Sequence, residues 1–286
     1  MNDRAARAIL FAGIEGGSPF WAREVLQNGA EAVLQKLRAR VYDEVKYQRL
    51  LERITQLSSE TILEEIEKAG TVFITPSDPI WPDALNDLEA PPIGLIVKGS
   101  VSVLLSPALA IVGTRNPTHY GCRIAGDFAA GFVDREWSII SGGAYGIDAA
   151  AHRGALAAEG ATIAVLACGT TVNYPAAHER LFAEIAETGL LISEVMPDVH
   201  AIPARFLSRN RIIAALSSAT LVVEAAFRSG SLRTARDAAE LLRPVMAIPG
   251  PITSPTSEGC HRLIAERVAE LITSVADAVE FIGINK

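Results

Sequence analysis

The chain has 286 residues, 26 Lys and Arg against 33 Asp and Glu for a formal charge of −7, and a 49% hydrophobic composition. This is enough for one sizeable core plus a small accessory region, in one or two domains. No run reaches the ~18 apolar residues of a membrane span, and the start Met-Asn-Asp-Arg-Ala-Ala-Arg lacks the apolar centre of a signal peptide, so a soluble, cytoplasmic protein with no membrane partner is expected. Three scattered cysteines, Cys122, Cys168 and Cys260, fit neither a disulfide framework nor a CxxC metal site, and neither a metal nor a cofactor is expected.

Residues 1–68 predict a helical accessory region. Ala22 to Leu26, Ala30 to Ala39 and Tyr47 to Ile66 carry apolar residues at three- and four-residue spacing, and the charged run from Val45 to Glu67 reads as a largely solvated face. From Thr71 the pattern changes to short strand-like runs: Thr71 to Thr75, Gly94 to Lys98, Ala108 to Val112, Trp137 to Ser141, Ala161 to Leu166, Gly189 to Ser193, Ala219 to Glu224 and Val245 to Ile248. Helical stretches at 119–134, 147–158, 176–187, 204–216 and 231–242 separate most of them. This alternation predicts an α/β fold for residues 69–286, an extended Rossmann-like, doubly wound and mostly parallel sheet with helices on both faces. Asp78-Pro-Ile-Trp-Pro82, followed by Ala90-Pro-Pro92, reads as a proline-stiffened connection.

The most informative residues are Ala110-Ile-Val-Gly-Thr-Arg115, running on to Tyr120-Gly121, and Ser141-Gly-Gly-Ala-Tyr-Gly-Ile-Asp148. Each is a buried strand, a turn of glycines and small residues, and a helix start. Such a turn lets backbone amides approach an anion, and the helix N-terminus adds about half a positive charge. Ser229-Gly-Ser231, after Glu224 at a strand end, is a third turn of this kind. Three of them point to an anionic ligand at the carboxyl edge of the sheet. Arg115 is placed to form a bidentate phosphate contact, although a surface ion pair would also explain it. Asp148 and His152 lie one helical turn apart, a spacing that suits either a general base or a hydrogen-bonded structural pair. Tyr174 offers a flat face for a base or is a rim tyrosine. The net charge argues against a nucleic-acid partner, but Arg205 to Arg243 holds seven arginines against Glu224, Asp237 and Glu240, and a global average can hide a basic cleft.

The ordered combination of Val112-Gly-Thr-Arg115, Ser141-Gly-Gly-Ala144 with Gly146-Ile-Asp148 and His152, Gly169 with Tyr174-Pro175, Ser193-Glu194, Phe206 with Arg209-Asn-Arg211, Ser229-Gly-Ser231, Pro249-Gly250 and Gly259 with Leu263-Ile264 resembles the DNA-processing protein A family, also called Smf. The resemblance runs from about residue 70 to 265. It implies a protein that binds single-stranded DNA and helps load a RecA-type recombinase during transformation or recombination, acts as a homodimer, and is not an enzyme. Carried over onto this sequence, it implies a DNA pocket of Gly113, Thr114, Arg115, Tyr120, Gly121, Ser141, Gly142, Gly143, Ala144, Tyr174, Arg209, Arg211, Ser229, Gly230 and Ser231. Asp148, His152, Asn210 and Glu224 would support it.

The sequence departs from the family pattern at Ala176, Ala177 and His178, where members often carry polar or basic residues, so a thinner basic rim is expected. Cys260-His261 and Arg267-Val268 also differ from the usual residues, and no winged-helix domain is expected after Lys286. Two alternatives share the sheet architecture: a nucleotide-binding sensor, and a phosphoribohydrolase similar to the LOG proteins. The second is disfavoured because Arg233 and Arg236 precede Asp237 after the third turn.

Overall fold

A computed structural model describes residues 2–283. Five helices come first: α1 (Asp3–Gly13), α2 (Pro19–Asn28), α3 (Ala30–Arg38), α4 (Glu44–Gln56) and α5 (Ser59–Lys68). Four of them start at a side-chain cap: Asn2, Ser18, Asp43 and Ser58 each accept a hydrogen bond from a first-turn amide. The Ser58 cap explains why the single helix expected from Tyr47 to Ile66 is two helices. Helix α1, outside the stretches whose spacing marks them in the sequence, buries Ala6, Ala8, Ile9, Leu10, Phe11 and Ala12 and keeps Asp3, Arg4 and Arg7 out of the core. These helices share one core with the sheet edge, since Phe73, Ile96 and Met196 pack into the same cluster as Ile9, Leu34, Leu37 and Ile54.

The remaining elements alternate. They are β1 (Val72–Ile74), β2 (Leu95–Gly99), β3 (Ala108–Gly113), α6 (His119–Val133), β4 (Ser138–Ser141), α7 (Ile147–Ala157), β5 (Thr162–Leu166), α8 (Glu179–Thr188), β6 (Leu190–Ser193), α9 (Pro203–Ser208), α10 (Asn210–Leu216), β7 (Ala219–Val223), α11 (Ser231–Glu240), β8 (Val245–Ala247), α12 (Glu258–Ala265), β9 (Glu270–Leu271) and α13 (Val275–Phe281). They build one nine-stranded sheet in the order β1-β2-β6-β5-β4-β3-β7-β8-β9. Strands β3 to β9 pair in parallel, whereas β1 and β2 join antiparallel at one edge. The stretch expected as one helix over 204–216 divides at Arg209, and the start of 176–187 is a 3-10 turn, Ala176–His178.

Strand β3 is buried on both faces, as a central parallel strand requires. Ala108, Ala110 and Val112 face the core under α10 and α11, while Leu109 and Ile111 face the opposite core under α6 and α7. Sequence order runs outward from β3 through β4, β5 and β6 on one side and continues from β7 on the other. The reversal opens a crevice at the carboxyl ends of β3 and β7, where α/β sheets of this type hold ligands.

Candidate nucleic-acid interface

The first glycine turn is fixed by backbone and by one carboxylate. Thr114 N–H donates to the Glu224 carbonyl at 2.7 Å, and Ile147 N–H donates to the Thr114 carbonyl at 3.1 Å, so the turns after β3, β4 and β7 are tied together. Glu224 has φ +52°, a left-handed conformation uncommon outside glycine. Its carboxylate accepts from the Thr118 amide at 2.8 Å and the Thr118 hydroxyl at 2.5 Å. Thr118 is the N-cap of α6, so the negative charge lies at a helix N-terminus, where it is stabilised. Gly121 leaves room for that carboxylate, since a Cβ there would collide with it. Glu224 therefore supports the turn.

The second turn rests on buried side chains. Ser141 Oγ donates to the Ile111 carbonyl at 2.6 Å, joining β4 to β3. The Arg209 guanidinium donates to the carbonyls of Gly142 and of Val165, the latter at 2.7 Å, and a Cβ on Gly142 would occupy its place. Gly143, at φ +69°, presents its carbonyl to His178 Nδ1 at 3.0 Å. Asp148 accepts from the Ala144 amide at 3.2 Å and faces Arg209 at 3.9 Å. Burial pushes its carboxyl upward, against the pull of Arg209 and the turn amides.

Asp148 and His152 do not bond each other. Thr162 Oγ1 donates to the Ile139 carbonyl at 2.8 Å and so must accept from His152 Nδ1, 2.7 Å away. His152 is thus neutral and Nδ1-protonated, its pKa pushed down to about 3 by burial and by nearby cations. Its Nε2 has no partner. A fully buried imidazole has no route to a substrate, so the general-base alternative is corrected: His152 locks α7 to β5.

Between the turns lies a cleft of about 270 Å³. Gly113, Arg115, Ala144, Asp148, Arg209 and Asn210 line it together with Ser229, Gly230 and Ser231. Arg115 is exposed, makes no ion pair among the described residues, and sits over the Phe206 ring at 5.0 Å. Arg209 approaches the same ring at 5.7 Å, and Tyr174, half exposed, meets it edge-on at 5.4 Å. On the opposite wall Gly230 caps α11, whose first amides are held within the turn: Ser231 N–H donates to Ser229 Oγ at 3.4 Å, and the Leu232 and Arg233 amides donate to the Ser229 and Gly230 carbonyls at 3.2 and 3.0 Å. Asn210 Nδ2 steadies that turn through the Gly230 carbonyl at 3.2 Å. An unpaired cation, an aromatic face and a helix N-terminus therefore converge on one opening.

Some expected residues lie elsewhere. Thr114, Ser141, Gly142, Gly143 and Gly121 shape the turns behind the cleft, and Tyr120 sits on the rim with its hydroxyl 3.4 Å from the Pro249 carbonyl. Arg211 is corrected from a DNA contact to a buried ion pair, both oxygens of Glu194 accepting from Nη2 at 2.5 and 2.6 Å. The arginine-rich stretch is corrected likewise. Arg205, Arg209, Arg211, Arg233, Arg236 and Arg243 are in ion pairs, leaving Arg228 as its one cation without a carboxylate partner among the described residues. Phe206, Leu207, Val112, Ile213 and Thr234 also line the cleft. Of these, Val112 carries a signal as the first residue of Val112-Gly-Thr-Arg115, and Phe206 through its place before Arg209-Asn-Arg211.

The fold and cleft define an extended Rossmann-like protein with a candidate ligand cleft at the switch point of its sheet, lined by a cation, an aromatic ring and a small-residue turn. The pattern of the family described as DNA recombination-mediator protein A matches residues 72–283. The putative DNA processing protein DprA of Mycobacterium tuberculosis (strain H37Rv) is 45% identical over 234 residues, 77% of this chain and 60% of that one. The chain thus spans three-fifths of the length of that relative. The crystal structure of DNA processing protein A from Streptococcus pneumoniae superposes with a TM-score of 0.84 at 32% identity, covering 98% of both chains. A Helicobacter pylori DNA processing protein A, studied for its single-stranded DNA binding mode, superposes with a TM-score of 0.67 at 30% identity, covering 74% of this chain and 96% of that one. The chain belongs to the DNA recombination-mediator protein A family.

Proposed function

We propose that the protein binds single-stranded DNA in the switch-point cleft and acts as a recombination mediator, helping to load a RecA-type recombinase in transformation or recombination. The observation that carries this reading is Arg115, an exposed cation without an acidic partner among the described residues, stacked on Phe206 and facing the Ser229-Gly230-Ser231 turn. In this reading phosphates lie against Arg115 and the Ser229-Gly230-Ser231 turn while a base stacks on Phe206 or Tyr174. Sequence tolerance follows, because stacking and phosphate contacts do not read base edges. The single-stranded DNA binding mode of the Helicobacter pylori relative supports the assignment.

The protein acts in the cytoplasm without a cofactor or metal, and not as an enzyme. Asp148 and His152 are committed to fixed internal partners, and Asp237, the first carboxylate after the third turn, is held by Arg233 at 2.6 Å. No described helix is long and apolar enough to cross a membrane. A homodimer is supported by the far sheet edge, where β9 is a terminal strand and Leu242, Leu271 and Phe281 are 93%, 45% and 43% exposed. Fluorescence anisotropy with labelled oligo-dT and a matched duplex, at several salt concentrations, tests the reading. Preference for the single strand is expected, with a log-log salt slope of about −0.7 per phosphate contact. Equal affinity for duplex, or binding indifferent to salt, would refute it.

A further inference from the structure

Helix α9 forms the lip of the cleft, since Phe206 and Leu207 line the opening, yet none of its six residues is buried. A short helix without a buried face needs anchoring from outside itself. Its neighbour is the loop between α1 and α2. Arg205 donates from Nε and Nη2 to the two carboxylate oxygens of Glu15 at 2.6 and 2.8 Å, and from Nη1 to the His200 carbonyl at 2.7 Å. All three guanidinium nitrogens are engaged, and the planar fork fixes orientation as well as distance. Beside this clamp, Gly17 stands at φ +76°, and a Cβ there would lie 3.3 Å from the Ser208 Cβ at the end of α9. The N-terminal helices thus grip the lip at Arg205, one residue before the aromatic ring under Arg115.

We propose that Glu15 is a positioning residue for DNA binding: through Arg205 the N-terminal helical region holds α9 so that Phe206 faces the cleft. This rests on the single-stranded DNA reading above. Charge alone predicts the opposite outcome, because removing an acidic group and freeing a cation beside the cleft would favour an anionic ligand.

The test measures oligo-dT affinity of the full chain carrying Glu15→Gln, with Arg205→Lys as a second variant that keeps the charge and loses the fork. Both are expected to weaken binding about fivefold, the scale of one partly exposed ion pair. The charge-exchanged pair Glu15→Arg with Arg205→Glu is expected to recover part of the loss. In a Phe206→Ala background Glu15→Gln is expected to have no further effect, because the residue it positions is gone. Hydrogen exchange of the amides of residues 204–208 without DNA should speed up in Glu15→Gln. Unchanged exchange, parental or tighter DNA binding by Glu15→Gln, or an equal loss in the Phe206→Ala background would overturn the proposal. A parent chain that ignores oligo-dT would sink the DNA reading instead, and the exchange measurement would still decide whether Glu15 holds α9.

Discussion

Replacing Arg115 by Ala isolates the ligand-facing part of the site. Arg115 is exposed and has no ion-pair partner among the described residues, so its only recorded internal contact is the Phe206 ring at 5.0 Å. An exposed cation–π contact contributes about 0.5–1 kcal/mol, so the melting temperature should move by only a few degrees. A charge-assisted contact to a DNA phosphate is worth ~1.5–3 kcal/mol, which predicts a roughly ten- to hundredfold loss of affinity. Removing one phosphate contact should also flatten the log-log salt slope by about 0.7. Arg115→Lys should recover only part of the loss, because an ammonium can neither fork onto a phosphate nor lie flat on the ring. Anisotropy titrations across a salt series, paired with thermal melts, measure all three quantities. Parental affinity and slope in Arg115→Ala, or a collapse in stability with binding per folded molecule intact, would refute the reasoning.

Phe206→Ala should cost ~1–3 kcal/mol of single-strand binding, the range for one lost stacking contact, and Phe206→Tyr should retain most of it in the same titration. Arg211→Ala should do the reverse: it strands the buried Glu194 carboxylate, so urea unfolding should show a loss of ~3–5 kcal/mol, while affinity per folded molecule stays near the parental value. His152 titrates near 6.5 in the unfolded chain and near 3 in the folded one, so the unfolded state takes up the proton first as pH falls. Its contribution is fully present above pH 6.5 and declines below it by ~1.4 kcal/mol per pH unit. Asp148 and Glu194, raised by burial, work in the opposite direction. The difference between the parent and His152→Gln, from urea unfolding between pH 7.5 and 5, isolates the histidine. A constant difference across that range would show that His152 titrates in the folded protein as it does in the unfolded chain, and would refute the assignment.

Much of the scaffold is legible in the sequence because its signals are local. The apolar runs of β3 and β7 are buried on both faces, and Gly113 and Gly121, at and after the end of β3, stand where a Cβ would strike neighbouring backbone or the Glu224 carboxylate. Helix ends at Ser58 and Thr118 depend on side chains three residues from the amides they cap. The roles of the arginines are not legible in the sequence because pairing is not local: Arg211 meets Glu194 on a different element, and Arg205 meets Glu15 at the far end of the chain. Arg205 and Arg211 look alike in sequence and are similarly shielded, yet one pairs with the exposed Glu15 and the other with the largely buried Glu194. Phe206 has no periodic neighbourhood to mark it, and its importance comes from the rings and cations that other elements bring to it. Strand β9 is two residues long with both side chains exposed, too short for an alternation pattern.

The central claim, that a single strand lies in the cleft between Arg115, Phe206 and the start of α11, is tested most directly by photocross-linking. Oligo-dT carrying 4-thiothymidine would be bound to the full chain, irradiated, and mapped by mass spectrometry of the peptides. The account predicts adducts at Phe206 or Tyr174 and on the peptide holding Ser229 to Ser231, suppressed by unlabelled oligo-dT and diminished in Arg115→Ala. Adducts confined to the N-terminal helices or the β9 edge, with the cleft peptides unmodified, would contradict it.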